Sequence, residues 1–283
     1  MTPTELLPNP SPEAQARDPI EMPKRGSPLI RLYFRSQRLM QQLTLLQSST
    51  FTGLWLGFLT RKQLHDIGEG YFRQERFYST DEWNTRGLFD WEKQSVEAHF
   101  GDCKKLLVAG AGGGREVIAL RRLGFDVDGF DSHPDLIRAA NELLAREGMV
   151  PDIRQAPWDH SPDTGRVYDG VIIGWGAYMH IRGRDRRVAF LRELRNKVGA
   201  GAPLLLSFYV TSPNSRYFRW VARVGGPIAR VLRRDPVLVG DCLLPFYAHF
   251  FTQERLEGEL TAGGFQLVAF ELIEYAHAIA RAT

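Results

Sequence analysis

The run Lys105-Leu-Leu-Val-Ala-Gly-Ala-Gly-Gly-Gly-Arg-Glu116 constrains the fold more than any other stretch of the chain. Leu106 to Ala109 form an apolar run too short for a helix, which reads as a buried strand. Gly110, Gly112, Gly113 and Gly114 then permit dihedrals and a close backbone approach that side chains forbid. A helix opening near Arg115 points unpaired N–H groups at whatever lies in the turn. Such a strand, turn and helix suits a nucleotide-like ligand rich in oxygen acceptors.

The spacing narrows the ligand. A dinucleotide fingerprint, G-x-G-x-x-G, needs a third glycine where Arg115 stands, and the pattern present is G-x-G-x-G at Gly110, Gly112 and Gly114. An NAD-dependent oxidoreductase is therefore disfavoured. About twenty residues on, Phe125-Asp-Val-Asp-Gly-Phe-Asp131 alternates as a second strand and ends in an acid followed by Ser132. The Asp131 carboxylate, acceptor-only and bidentate, suits the two hydroxyls of a ribose; Asp131 or Ser132 also suits the N-cap of the helix that follows. Asp126 and Asp128 read as solvent-facing strand residues.

From Lys104 to about Tyr209 strands and helices alternate as a doubly wound parallel sheet requires. Strands are expected at 151–155, 167–174 and 202–210, and helices at 116–123, 135–146 and 184–198. A helix over 252–263 and strands at 265–271 and 275–280 close the domain. The fold class is thus α/β, a doubly wound, seven-stranded, mostly parallel sheet with an N-terminal helical region and an insertion after the fifth strand. Four parts follow: residues 1–27 as a disordered polar tail, 28–100 as a helical cap, 101–283 as the ligand-binding domain, and 211–250 within it as a substrate-side insertion. In the cap, Leu32, Leu39, Leu43 and Leu46 recur at helical spacing within Leu29 to Leu46, and Phe89 to Phe100 reads as a helix capped by Asp90. Thr52 to Leu59, apolar but broken by glycines, suits a packed turn, or a substrate-facing patch, better than membrane insertion. In the insertion Arg216, Arg219, Arg223, Arg230 and Arg234 fall on one helical face, with Gly225-Gly226-Pro227 expected to break the helix between them.

The glycine turn, Asp131 and the segment Tyr168-Asp-Gly-Val-Ile-Ile-Gly174-Trp175-Gly-Ala-Tyr178-Met-His180 stand in the order of three motifs of the class I S-adenosylmethionine (SAM) dependent methyltransferases, which the chain resembles from Lys104 to Thr283, insertion excepted. The resemblance implies SAM as cofactor. It places Gly110, Ala111 and Gly112 at the methionine portion, Asp131 at the ribose, and Gly174 and Trp175 near the transferable methyl; Gly114 and Ser132 complete the expected cofactor-binding set, and Trp158 reads either as stacking on the adenine with Asp159 nearby or as core packing. Two departures stand out: Val108 occupies a position where many members carry an acid, and Gln155 to Asp159 replaces the usual acid after the third strand.

Methyl transfer from a sulfonium asks mainly for alignment, and a base only where the acceptor holds a proton of high pKa. His180, His249 and Tyr178 are the catalytic candidates; for each histidine a purely structural, hydrogen-bonded role competes. The expected reaction is methylation of oxygen or nitrogen on a small molecule. A macromolecular acceptor, and a SAM-binding protein that does not methylate, are the alternatives. The arginine face leaves three readings open: a solvated surface, recognition of an acidic or phosphorylated acceptor, and contact with an anionic membrane surface. With 43% hydrophobic residues, 24% charged residues and a net charge of +3, composition is that of an ordinary globular protein and gives no reason to expect nucleic acid. Two cysteines are too few for a disulfide framework or a metal site, and no stretch has the length and apolarity of a membrane span. A cytoplasmic monomer or homodimer is the expectation.

Overall fold

A computed structural model describes residues 27–283. All of the proposed tail except Ser27 lies outside the described residues. Five strands, β1 (Lys105–Ala109), β2 (Asp126–Asp131), β3 (Arg154–Gln155), β4 (Gly170–Ile173) and β5 (Pro203–Ser207), run parallel. They join β9 (Phe265–Glu271) and β10 (His277–Ala282) in one seven-stranded sheet of order β3-β2-β1-β4-β5-β10-β9, with β10 antiparallel to both neighbours. The doubly wound sheet expected from the sequence is what forms.

Strand β1 shows why a continuous apolar run was needed. Leu106 and Val108 pack into one layer with α4 (Asp90–His99), α5 (Arg115–Arg122) and α6 (Pro134–Arg146); Leu107 and Ala109 pack into the other with α7 (Arg184–Arg195) and α9 (Gln253–Ala262). A sheet covered on both faces must be apolar at every position, and each fully buried leucine contributes about 1.5–3 kcal/mol. The strand's polar ends are tied separately. The Asp169 carboxylate accepts from the backbone N–H of Lys104 and Lys105, both at 2.9 Å, and these two bonds hold it below the usual carboxylate range.

Several sequence expectations need correction. Strand β3 has two residues rather than five, because Pro151 and Pro157 lack the N–H a ladder needs and the Asn141 side chain, not a strand, pairs with Ile153 N and O at 3.0 Å each. Asp128 is not solvent-facing: it is buried and accepts from Tyr168 Oη at 2.5 Å and Arg166 Nη1 at 2.8 Å. The strand expected over 202–210 divides after Ser207, and β6 (Tyr209–Val210) pairs instead with β8 (Tyr247–Phe251), which also pairs with β7 (Asp241–Leu243) in a second, three-stranded sheet. Asp90 is the first helical residue of α4 rather than its cap, and the Glu92 carboxylate accepts from Phe89 N at 2.8 Å.

The cap and insertion differ most. Helix α1 runs unbroken over Pro28–Phe58, straight through the expected turn, and is followed by α2 (Arg61–Gln74), a 3-10 turn at Arg76–Ser79 and the short α3 (Asp81–Thr85). Helix α8 (Arg216–Val231) likewise runs through Gly225, Gly226 and Pro227. The two deviations have one cause. A Cβ on Gly225 would lie 2.5 Å from the Gly53 carbonyl oxygen, and one on Gly53 would lie 2.8 Å from the Val221 carbonyl oxygen. The glycines that look like helix breakers are the crossing point of two helices in backbone contact. Arg182 closes the C-terminal end of α1, donating to the Leu56 carbonyl at 2.9 Å and the Leu59 carbonyl at 3.2 Å.

The crossing yields a paired test. Gly225→Val forces the helices apart and is expected to lower stability by about 1–3 kcal/mol, as overpacking does. Gly226→Ala leaves the crossing untouched, with no atom of α1 within 4 Å of its would-be Cβ; its helix-propensity gain of about 0.5–1 kcal/mol is opposed by crowding against the Pro227 ring, so a change smaller than that of Gly225→Val is expected. Urea midpoints of the two variants check the assignment, and equal shifts of one sign would count against it.

Candidate active site

The order of the sheet reverses between β1 and β4, and in an open α/β sheet the crevice beyond the carboxyl ends of such strands is where ligands bind. The local sequence builds that crevice. Gly110, Gly112 and Gly114 all have positive φ (74°, 51° and 94°), so the chain doubles back after β1 instead of continuing. Gly110 N and Ala111 N donate to the Phe130 carbonyl at 2.9 and 3.0 Å. Gly112 N donates to Asp131 Oδ2 and His133 N to Asp131 Oδ1, both at 2.8 Å. The carboxylate that ends β2 thereby clamps the glycine turn to the turn before α6. Opposite, a Cβ on Gly174 would lie 2.3 Å from the Gly110 carbonyl oxygen, so only glycine lets the β4 turn meet the β1 turn this closely.

A cavity of about 680 Å³ opens from this junction, within the range of roughly 300–1,000 Å³ of small-molecule sites. Of the residues read from the sequence, Gly110, Gly112, Asp131, Ser132, Trp158, Trp175 and His180 line it. Ala111 is buried beneath the turn, Gly114 packs toward Ala140 as the N-cap of α5, and Gly174 packs on Gly110. Asp159 is buried in an ion pair with Arg186 at 2.7 Å and does not line the cavity. Tyr178 and His249 also stand outside the lining. Tyr178 is fully buried and donates to Glu259 Oε2 at 2.8 Å; Glu259 in turn pairs with the buried Arg187 at 2.7 Å. His249 is buried against Asp241, with Nδ1 2.7 Å from Oδ1. The Tyr178 bond lies within the main domain, between the turn after β4 and α9, and the His249 bond lies within the insertion's small sheet, between β8 and β7.

The remaining wall is aromatic and comes from the cap, the insertion and the segments at the ends of β5 and β10. Tyr71 and Phe72 of α2 meet Phe246 at ring-centre distances of 4.6 and 5.3 Å, and Phe72 also approaches His133 and His180. Tyr78, Tyr209 and Tyr275 complete this side. Sequence reading puts Tyr209 and Tyr275 inside expected strands, 202–210 and 275–280, and so gives no sign that either faces a cavity. Among the described residues the lining holds no lysine or arginine, so the arginines of α8 lie outside it and give an acidic or phosphorylated acceptor no cation there.

Trp175 stands where the two walls meet. Its backbone N–H donates to Glu116 Oε1 at 3.1 Å, while its buried indole Nε1 has no hydrogen-bond partner. Glu116 belongs to a buried cluster in which Arg115 donates to both oxygens of Glu92 at 2.6 Å and to Glu116 at 2.7 Å. Burial raises the Glu92 carboxyl above its ordinary pKa; Arg115 is penalised by burial too, but its two carboxylates outweigh that and hold it protonated.

No family model matches the chain, and no curated protein matches it. Solved structures do. The chain is similar to a 1,6-didemethyltoxoflavin-N1-methyltransferase of Burkholderia thailandensis, with a TM-score of 0.56 at 17% identity over 80% of this chain and 92% of that one. It is similar to a SAM-dependent methyltransferase of Methanosarcina mazei, with a TM-score of 0.54 at 17% identity over 69% and 98%, and to the sugar N-methyltransferase KedS8 of a Streptoalloteichus species, with a TM-score of 0.53 at 13% identity over 75% and 92%. The chain has the class I methyltransferase fold.

Within the crevice of this class I fold, His180 is the one catalytic candidate that reaches the cavity. Its Nδ1 lies 2.9 Å from the Tyr247 carbonyl oxygen, which only accepts, so in the neutral ring Nδ1 carries the hydrogen and Nε2 keeps its lone pair. Burial lowers its pKa from the ordinary 6.5 to about 4, although the bond to Tyr247 pulls the other way. The folded protein thus resists a proton that the unfolded chain takes up, so stability contributed here is present above pH 6.5 and is lost as pH falls toward 4. His249, lowered chiefly by burial, adds in the same direction. In urea titrations between these limits, His180→Gln is expected to remove part of a slope that for one group reaches at most about 1.4 kcal/mol per pH unit. Parallel curves for wild type and variant would refute the depressed His180.

Proposed function

We propose that the protein is a SAM-dependent methyltransferase that methylates oxygen or nitrogen of a small, uncharged, largely aromatic acceptor. The observation that carries this is a single cavity into which the Asp131-clamped glycine turn opens on one side and an aromatic wall with His180 on the other. The residues present suit the cofactor. The turn leaves room against its backbone, Asp131 offers carboxylate oxygens where β2 ends, Trp158 and Pro157 offer flat apolar surface, and the Trp175 indole N–H lacks a partner. When bound, SAM supplies an electrophilic methyl on a cationic sulfonium.

The chain's own contribution is then positioning and exclusion of water. Aromatic faces of Tyr78, Trp175, Tyr209 and Tyr275 attract a cation and keep solvent from the reacting atoms. His180 accepts a hydrogen bond through Nε2 and so points an acceptor's O–H or N–H group. A ring that titrates near 4 is poorly matched to taking a proton from an aliphatic hydroxyl at neutral pH, so orientation rather than deprotonation is its role. This favours acceptors whose nucleophile is already competent, such as an amine, a ring nitrogen or an acidified hydroxyl. The lining's lack of lysine and arginine among the described residues disfavours an anionic acceptor.

Calorimetric titration with S-adenosylhomocysteine tests the cofactor half. Asp131→Ala is expected to weaken binding by about 1.5–3 kcal/mol, the range for losing hydrogen bonds to a charged group, with Asp131→Asn between it and wild type. No binding by the wild-type protein at millimolar ligand would remove the reading. With methyl-labelled SAM and cell extract, label is expected in a small, extractable compound; label in polymer would reassign the acceptor, and none despite tight cofactor binding would leave a non-methylating protein.

A further inference from the structure

We propose that the outer face of α1, together with the arginine row of α8, rests on an anionic phospholipid bilayer, making this a peripheral membrane protein. Helix α1 has 31 residues and so is about 46 Å long. Its inward face buries Ser49, Thr52, Gly53, Leu56 and Gly57. On the opposite side Leu32, Leu39, Met40, Leu43, Phe51 and Leu54 are each 39–62% exposed and, at about 100° per residue, share one arc of the helix. Soluble monomers rarely present so long an apolar strip to water, so something covers it.

Charge selects the cover. No Asp or Glu occurs between Pro28 and Leu59, nor between Arg216 and Arg234, while these two stretches carry nine arginines. Arg216, Arg219, Arg223 and Arg230 all lie on the exposed side of α8. Trp220 sits at the seam between the helices, its Nε1 donating to Thr50 Oγ1 at 2.9 Å and its ring 5.8 Å from the Arg223 guanidinium. An apolar strip bordered by tryptophan and arginine, with no acid, is what a helix lying in a lipid interface requires. A second copy would bring two arginine-rich, acid-free surfaces together; anionic headgroups neutralise one. No helix among the described residues is long and apolar enough to cross a membrane, so α1 lies on the bilayer rather than through it. The Gly53–Gly225 crossing holds the two helices to each other, and Arg182 ties the C-terminal end of α1 to the domain.

Sedimentation of the full chain with phosphatidylcholine vesicles, with and without phosphatidylglycerol, tests this independently of the catalytic reading. Pelleting is expected with the anionic vesicles, weakened by high salt. Arg219→Gln combined with Arg223→Gln is expected to reduce partitioning roughly thirtyfold, at about 1 kcal/mol per basic residue, and Leu39→Asp combined with Leu43→Asp to abolish it. All four side chains are exposed and outside the cavity, so the far-UV spectrum and S-adenosylhomocysteine affinity should be unchanged. A chain that stays in the supernatant with anionic vesicles overturns the proposal. So does a homodimer in light scattering that the leucine pair splits without vesicle binding, which would assign the strip to a second copy.

Discussion

The contact between two backbone turns, Gly174 of β4 against the Gly110 carbonyl of β1, is the constraint on which the site depends. At this point the chain order of the sheet reverses, and the two strands on either side send their connections to opposite faces. A side chain at 174 would meet the Gly110 carbonyl at 2.3 Å and force the turns apart, widening the floor of the crevice. Asp131 stabilises the arrangement from the side by accepting two backbone N–H groups of neighbouring turns. The same carboxylate retains lone pairs beyond those two bonds, so one residue both shapes the crevice and offers it acceptors.

Around that floor the walls are set by buried charge. Arg115 with Glu92 and Glu116 fixes the Trp175 backbone; Arg187 with Glu259 and Tyr178 fixes the segment before α7; Asp241 with His249 and Tyr247 fixes the small sheet. Each set is paired within itself, as burial of an ion demands. Burial would raise the Asp241 carboxyl, but the hydrogen bond and charge of His249 bring it below its usual range, so the pair stays closed. Chemically capable residues are thereby consumed by scaffolding, and among the described residues the cavity's titrating groups besides tyrosines are one carboxylate, Asp131, and two histidines, His133 and His180, set among aromatic rings. That asymmetry is why an uncharged aromatic acceptor is the reading we favour.

The long helices that flank the domain obey a different logic. In α1 the glycines give up side-chain burial to bring backbones into contact, and the leucines and aromatics they displace face outward. The apolar residues of one helix thus serve two surfaces, one against α8 and one left open. The cap reaches the cavity through α2 instead, whose Tyr71 and Phe72 meet Phe246 from the insertion.

The sequence by itself determined the sheet and its floor. The apolar run Leu106 to Ala109, the glycines after it, Asp131 and the closing helix and strands act through neighbours along the chain or through strict strand periodicity, and such signals are local. It also marked Trp158, Trp175 and His180, because residues after parallel strands open onto the crevice. What only the tertiary structure decided was which chemically able side chains meet a partner before they meet the cavity. Tyr178 and His249 stand beside the site in sequence, but Glu259 and Asp241, more distant or equally ambiguous in the chain, capture them in the fold. The helical state of Thr52 to Phe58 and of Gly225 to Pro227 was hidden for the same reason: each stretch looks broken alone and is helical because the other packs against it. Local propensity is a weak prior, and a backbone contact between segments more than 150 residues apart overrides it.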